Sequence, residues 1–142
     1  NVTDRILQEV KGRMTEEIVQ LETLRNASAN EKVFKLKFAN AEFDMVIYES
    51  DENTCRIFEI KRSDKVVPEQ ARHLLDEQKC ELTSRRFGEI AERVVLYRGS
   101  DLTDENGVEY RNVEEYLRQL HYPVMNEDQQ LSDGSSWDIK LE

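Results

Sequence analysis

Two apolar runs of the chain each carry an acidic residue, and the second run also carries a lysine. The first run, 43–47, contains Asp44, and the second, 57–61, contains Glu59 and Lys61. Successive side chains of a strand point to opposite faces, so Glu59 and Lys61 share one face. Between the runs lies a polar cluster of turn-forming residues, and folding the chain back there brings Asp44 opposite Glu59. We therefore expect two carboxylates and one ammonium group on one face of a hairpin.

Two carboxylates that face each other on neighbouring strands favour a divalent cation between them. Like charges at opposed positions destabilise a sheet by a few tenths of a kcal/mol to about 1 kcal/mol unless a positive charge separates them. Magnesium accepts a few carboxylate oxygens and keeps several waters, one of which becomes a better nucleophile, and it polarises a phosphoryl oxygen. Lys61 would orient that water or neutralise charge that develops on the phosphate. The residue types therefore predict metal-dependent phosphodiester hydrolysis.

Apolar residues determine which way each strand of the hairpin faces. We expect Phe43, Met45 and Ile47 to share the apolar face of the first strand, with Phe58 and Ile60 on that of the second. The carboxylates then lie together on the opposite face.

Periodicity and helix-terminating residues predict the elements that hold this hairpin. Apolar residues at helical spacing predict a first helix over about residues 3–25, and residues 33–38 are typical of a strand. A second helix is expected to begin at Pro68 and to end near Gly88, and residues 94–97 predict a fourth strand. The expected order is helix, three strands, helix, strand.

This motif and this order of elements resemble the PD-(D/E)xK nuclease superfamily. Its signature is an acid on one strand and Glu-x-Lys on the next, and Asp44 and Glu59-Ile60-Lys61 match it; Phe43 replaces the proline that often precedes the acid. The resemblance implies an α/β fold with a restriction-endonuclease-like αβββαβ core, in which helices flank a central mixed sheet. It also implies that magnesium or manganese is held by Asp44, Glu59 and the carbonyl of Ile60, with Lys61 assisting.

Longer segments around the motif resemble a more specific family. Residues 42–48, 58–65, 67–70 and 72–76 are similar to the C-terminal nuclease-like domain of unknown function that is attached to AAA-type ATPases of bacteria and archaea. This resemblance implies two partners, namely nucleic acid, with DNA favoured, and an N-terminal ATPase module of the same parent chain. ATP would bind only in that missing N-terminal part, since the chain has no GxxxxGK[ST] loop and no initiator methionine.

The superfamily often places one further acid on the first helix, and two glutamates compete for that role. Helical periodicity puts Glu17 on the same side as the apolar Leu21. The Gly-x-x-x-Glu-x-x-Val pattern that contains Glu16 looks like the helix of the ATPase-linked domain, which favours Glu16. The alternative for either residue is an ordinary helix glutamate paired with a neighbour on its own helix.

Gln70 is a further candidate, because the superfamily often supplies a polar residue to the site near the start of the second helix. We expect it to contact the substrate backbone, and a solvated helix face is the alternative. Cys55 and Cys80 form no CxxC motif, so zinc is not indicated. The reduced cysteines, together with the lack of a signal peptide and of a membrane-spanning apolar run, predict a cytoplasmic protein.

The composition predicts one nuclease-like domain with an uneven charge distribution. The chain has 142 residues, of which 38% are hydrophobic, and a net charge of −10, which argues against broad nucleic-acid affinity. Residues 99–142 hold 11 acids and 3 bases, so residues 1–98 are nearly neutral. Basic residues that follow the motif predict either a positive surface beside the site or a solvated helix face: Lys61, Arg62, Lys65, Arg72, Lys79, Arg85 and Arg86.

We expect residues 1–120 to form the domain, with a core over 3–98 and an extension over 99–120. Residues 121–142 are expected to be a polar tail that either docks on the core or stays disordered, and its last two residues resemble an expression-vector remnant.

Two functions remain open on the sequence alone. The first is a magnesium-dependent nuclease domain. The second is a catalytically inactive module of the same fold that binds a partner or regulates the attached ATPase, because fold similarity does not establish chemistry.

Overall fold

The described residues fold into a seven-stranded mixed sheet with helices on both faces. The computed structural model describes residues 2–6, 15–121 and 138–141, and residues 2–6 are helical. The other elements, in chain order, are α1 (Thr15–Arg25), β1 (Glu31–Lys37), β2 (Glu42–Glu49), β3 (Thr54–Ile60), a 3₁₀ helix (Pro68–Leu75), α2 (Glu77–Phe87), β4 (Glu89–Tyr97), β5 (Leu102–Thr103), β6 (Val108–Asn112), α3 (Val113–His121) and β7 (Asp138–Lys140). The expected class, α/β with a mixed sheet flanked by helices, is confirmed.

The strands lie in the order β5-β6-β4-β3-β2-β1-β7. The pairs β1–β2, β2–β3 and β5–β6 are antiparallel. The pairs β3–β4, β4–β6 and β1–β7 are parallel. One core cluster packs α1 and α3 against one face of the sheet, and the other packs the 3₁₀ helix and α2 against the opposite face. Among the described residues, no helix combines the length and the apolarity needed to cross a bilayer.

The register of the β2–β3 hairpin is the one that the sequence predicts. Met45 pairs with Phe58 and Glu49 pairs with Thr54, so the next position along the ladder sets Asp44 against Glu59. The turn ends at Asn53, whose φ of 54° lies in the left-handed region that asparagine tolerates better than most residues.

A β-bulge interrupts the pairing of β1 with β2 next to Asp44. Phe34 pairs with Val46, but Leu36 pairs with Phe43, so the single residue Lys35 faces two residues of β2. Such an extra residue bends the strand and re-aims the side chains around it.

The bulge also reverses the alternation of side chains along β2. Met45 and Ile47 pack in one core cluster, whereas Phe43 packs with Val46 in the other. The expectation that Phe43, Met45 and Ile47 share a face is therefore wrong at Phe43, because the extra residue shifts the period by one.

The predicted second helix is divided into two pieces. The chain is extended at Asp76, with φ −68° and ψ 116°, and the Asp76 side chain caps α2 by accepting a hydrogen bond from Lys79 N at 2.9 Å. The cap stops the 3₁₀ helix and starts α2, so the expectation of one continuous helix from Pro68 is wrong. The end near Gly88 is confirmed, and a Cβ at Gly88 would lie only 1.8 Å from the Asn53 carbonyl oxygen.

The described part of the first helix follows the predicted apolar periodicity in part: Ile18 and Leu24 pack against the core, but Leu21 does not. Leu21 is 47% exposed, whereas Gln20, Glu22 and Thr23 are buried beside Val19. The polar side chains are buried because they bond to other elements; Thr23 Oγ1, for example, lies 2.8 Å from the Tyr116 hydroxyl. Residues 7–14 of the predicted helix lie outside the described residues.

The end of the predicted tail adds a strand to the sheet. Residues 138–140 pair parallel with β1, and Leu141 N donates to the Lys37 carbonyl at 2.7 Å. Ile139 and Leu141 are partly buried against the core. Residues 122–137 and 142 lie outside the described residues.

Candidate metal centre

Asp44 and Glu59 form a buried pair of carboxylates at facing positions of β2 and β3. Asp44 is 7% exposed and Glu59 is 3% exposed. Asp44 Oδ2 accepts a hydrogen bond from Ile60 N at 2.8 Å, which holds that carboxylate in place. Glu59 Oε1 is buried and accepts no hydrogen bond from the described residues. A buried carboxylate oxygen without a donor is costly unless a proton or a cation satisfies it.

Burial is the main reason that the pKa of Glu59 is raised, to about 9. The charge of Asp44 and a hydrogen bond between Glu59 and Asp44 raise the pKa of Glu59 further, whereas the charge of Lys61 lowers this pKa. Without a metal, Glu59 therefore carries a proton at neutral pH and donates it toward Asp44. This proton neutralises Glu59, so the two carboxyl groups lie side by side without repulsion between like charges.

Two more carboxylates approach Asp44 from the other side. Oxygens of Glu16, Glu42 and Asp44 all lie within 4.8 Å of one another, a spacing that could hold a metal ion. Glu16 comes from the first turn of α1, and Glu42 begins β2 just beyond the bulge. Burial raises the pKa of Glu16, as does the charge of Asp44, while Lys35 opposes both.

An ammonium group lies at each end of this carboxylate cluster. Lys35 Nζ lies 3.0 Å from Glu16 Oε2 and 3.5 Å from Glu42 Oε2. Lys61 Nζ lies 3.7 Å from Glu59 Oε2, and its side chain is 31% exposed. Burial lowers the pKa of Lys35, but Glu16 and Glu42 raise it more, so the net shift is upward and Lys35 is charged at neutral pH.

Gln20, on α1, binds the backbone of β2 at Asp44. Its side-chain amide Nε2 donates to the Asp44 carbonyl, and the residue is buried on α1. It lies one helical turn after Glu16, so α1 supplies both a carboxylate to the cluster and a hydrogen-bond donor to the strand that carries Asp44.

The structure brings most of the sequence-predicted site residues together. Asp44, Glu59, Lys61 and Glu16 are in one cluster, whereas Glu17 is exposed. Gln70 lies beside the segment that follows Lys61, where its Oε1 lies 3.4 Å from Ser63 Oγ as a hydrogen-bond acceptor.

Sequence reasoning missed three residues of the site: Glu42, Lys35 and Gln20. The spacing of Gln20 from Glu16 is a signal that could have been used, since residues four apart share a helix face. Lys35 and Glu42 meet through the pairing of β1 with β2, because Lys37 is opposite Glu42 and Lys35 lies two residues away on the same face.

The oxygen atoms of the pair fit a hard divalent cation. Magnesium and manganese prefer carboxylate and carbonyl oxygens. Ile60 N donates to Asp44 Oδ2, so the backbone of Ile60 lies next to this carboxylate. Asp44, Glu59 and the Ile60 carbonyl are the ligands that the sequence predicts, whereas the carboxylates whose mutual spacing could hold an ion are Glu16, Glu42 and Asp44.

A polar groove of about 480 Å³ begins one residue beyond Lys61. It lies at the carboxyl ends of the parallel strands β3 and β4, where Arg98 N donates to the Ser63 carbonyl at 2.9 Å. Its lining carries both signs of charge: Arg62, Ser63, Asp64, Arg98 and Glu114. Ligands of sheets with parallel strands bind preferentially at this edge.

Comparison of the chain with family models, with curated proteins and with solved structures gave no match. The function must therefore be inferred from the carboxylates, the lysines and the groove.

Proposed function

We propose that the chain is a metal-dependent phosphodiesterase domain that acts on nucleic acid. The observation that carries the proposal is the buried Glu59 Oε1, which has no donor among the described residues and lies beside a second buried carboxylate, Asp44. Asp44, Glu59 and the Ile60 carbonyl would hold magnesium or manganese. When bound, such an ion supplies Lewis-acid polarisation of a phosphoryl oxygen and a more acidic water.

The protein side chains would position the substrate and balance its charge. Lys61 reaches solvent from the Glu59 end of the cluster, so its ammonium group can neutralise charge that develops on a phosphate. The Ile60 N–H holds one oxygen of Asp44, which leaves the other for the ion. Gln20 keeps the Asp44 backbone in place, as hydrogen-bonded supports of ligand residues commonly do.

The order α1, β1, β2, β3, α2, β4 supports assignment of the core to the restriction-endonuclease-like αβββαβ type. The acid and the Glu-x-Lys then fall on the second and third strands, as in the PD-(D/E)xK signature. From the resemblance of the segments around the motif to the ATPase-linked domain, we also propose that the chain is the C-terminal part of an AAA-type ATPase, with DNA as the favoured substrate.

The groove beside Lys61 is where we place the nucleic-acid backbone. Arg62 and Arg98 line it and can contact phosphates, which are the groups that dominate nucleic-acid affinity. Asp64 and Glu114 also line it and would weaken binding of anions, so a strong dependence on the bound divalent cation is expected.

A specific observation also favours the second function, an inactive module of the same fold. Both lysines already contact carboxylates of the cluster, so much of its negative charge is neutralised without a metal. In such a module the cluster would stabilise the sheet, and the acidic surface of residues 99–121 would face a protein partner.

Cleavage of labelled single- and double-stranded DNA and RNA with manganese distinguishes the two functions. Asp44→Asn, Glu59→Gln and Lys61→Met are each expected to lower the rate by about 100-fold or more. Matched controls are Glu52→Gln, in the exposed turn between β2 and β3, and Lys32→Met, opposite Tyr48 at the far end of β1, which should both cleave like the wild type. Cleavage that survives Asp44→Asn would overturn the proposal, and a wild-type chain that binds manganese but cleaves none of the four substrates would support the module.

A further inference from the structure

Lys35 occupies a position that a metal ion could take. Its Nζ contacts Glu16 and Glu42, two of the three carboxylates whose oxygens lie within 4.8 Å of one another. Its side chain is only 23% exposed, so the ammonium group depends on these carboxylates for much of its solvation. A lysine that is merely solvated at a strand edge would not need two carboxylates from two different elements.

The bulge explains why Lys35 reaches the cluster. Lys35 is the single β1 residue that faces two residues of β2 at the bulge, and Asp44 is one of these two. The distortion that turns Asp44 toward the metal site therefore also places the lysine on its far side. Carboxylate, bulge and lysine form one local unit.

The cluster thus has two halves that differ in how their charge is balanced. On the Glu16–Glu42 side a permanent cation is already bound by the chain itself. On the Asp44–Glu59 side one buried oxygen of Glu59 has no donor among the described residues, and Lys61 lies 3.7 Å from the other oxygen. A divalent cation between Glu16 and Glu42 would have to displace the Lys35 ammonium group, because the two positive charges would compete for the same oxygens.

We infer that Lys35 is a built-in cation that takes the place of a second metal ion and restricts the site to one divalent ion, held on the Asp44–Glu59 side. This inference rests on the proposed function for the identity of that one ion. Lys35 is a positioning residue in this arrangement. Its ion pairs with Glu16 and Glu42 keep these two carboxylates from binding the metal ion, and it never contacts the reacting phosphate.

Counting bound manganese tests the inference directly. Equilibrium dialysis and titration calorimetry should give one manganese ion per wild-type chain and two per chain of Lys35→Met. Lys35→Arg, which keeps the charge, should again bind one. The control is Lys32→Met, at the other end of β1 opposite Tyr48, which should bind one ion.

Lys35→Gln is a second neutral variant in case Lys35→Met folds poorly, and thermal unfolding of each variant in EDTA shows which ones are folded. Removal of the lysine should lower the unfolding temperature in EDTA, and manganese should restore it by a larger increment than in the wild type. A count of one ion for both the wild type and a folded neutral variant would overturn the inference and leave the proposed function intact. A wild type that binds no ion, with a neutral variant that binds one, would retain the role of Lys35 and contradict the metal site of the proposed function.

Discussion

Glu59 is a buried acid whose charge is suppressed in the metal-free fold. Its pKa is raised to about 9, mainly by burial and then by the charge of Asp44. The unfolded chain, in contrast, releases this proton near the ordinary value of 4.5. Between these two values the folded state holds one more proton than the unfolded state, so the metal-free fold loses stability as the pH rises.

The substitution Glu59→Gln tests this linkage. In EDTA the free energy of unfolding of the wild type should fall as the pH rises from about 5 to about 9, by up to about 1.4 kcal/mol per pH unit from this group. Glu59→Gln cannot titrate, so its stability should vary much less over that range. Urea unfolding at a series of pH values measures both slopes.

The matched control for this prediction is Glu52→Gln, which changes an exposed glutamate of the neighbouring turn and should keep the wild-type slope. Identical slopes for the wild type and Glu59→Gln would show that Glu59 is ionised in the metal-free fold.

At the scale of elements, the site depends on the contact between α1 and the bulged part of β2. Gln20 crosses from the helix to the Asp44 carbonyl, and Glu16 reaches the Asp44 side chain from the same helix. Loss of a buried hydrogen-bond partner costs more than the bond itself, because the remaining group keeps its desolvation penalty.

We predict that Gln20→Leu lowers stability by about 1–3 kcal/mol, because it leaves the Asp44 carbonyl without this donor. Manganese affinity should fall by about 10-fold or more, since supporting residues of a metal site typically contribute that much. Chemical denaturation and manganese titration measure the two effects. Gln119→Leu, on the exposed face of α3, serves as the control; a Gln20 variant with wild-type manganese affinity would remove α1 from the metal site.

The hairpin could be predicted from the sequence, whereas the bulge could not. Apolar alternation and a polar turn define the pairing of Met45 with Phe58, and both signals are local. The bulge is an irregularity in the pairing of β1 with β2, and no apolar pattern within either strand indicates it. Apolar periodicity also did not predict that Gln20 and Thr23 of α1 are buried, because these polar side chains bond to elements distant in sequence.

At the scale of the whole molecule, the charge distribution limits where an anionic polymer can bind. The chain carries a net charge of −10, with most of the excess acid in residues 99–142. Arg62 and Arg98 line the groove at the ends of β3 and β4. We therefore expect weak binding overall, concentrated at this edge of the sheet.

Arg98→Gln tests whether the groove contacts phosphates. The affinity for labelled DNA should fall, and the slope of log K against log salt should decrease in magnitude by about one, as expected for the loss of one phosphate contact. Fluorescence anisotropy over a series of salt concentrations measures both quantities. Arg118→Gln, on α3, should leave them unchanged, and an unaltered slope in Arg98→Gln would place the nucleic acid elsewhere.

The central claim is that Asp44 and Glu59 together hold a divalent cation, and anomalous diffraction from crystals soaked in manganese tests it most directly. We expect a peak within coordination distance of one oxygen of Asp44, one oxygen of Glu59 and the Ile60 carbonyl, with Lys35 still in contact with Glu16. The claim would be contradicted, and the inactive module favoured, if both carboxylates are ordered and no peak lies between them. In that case Glu59 would still be hydrogen-bonded to Asp44 and Lys61 would still form an ion pair with Glu59.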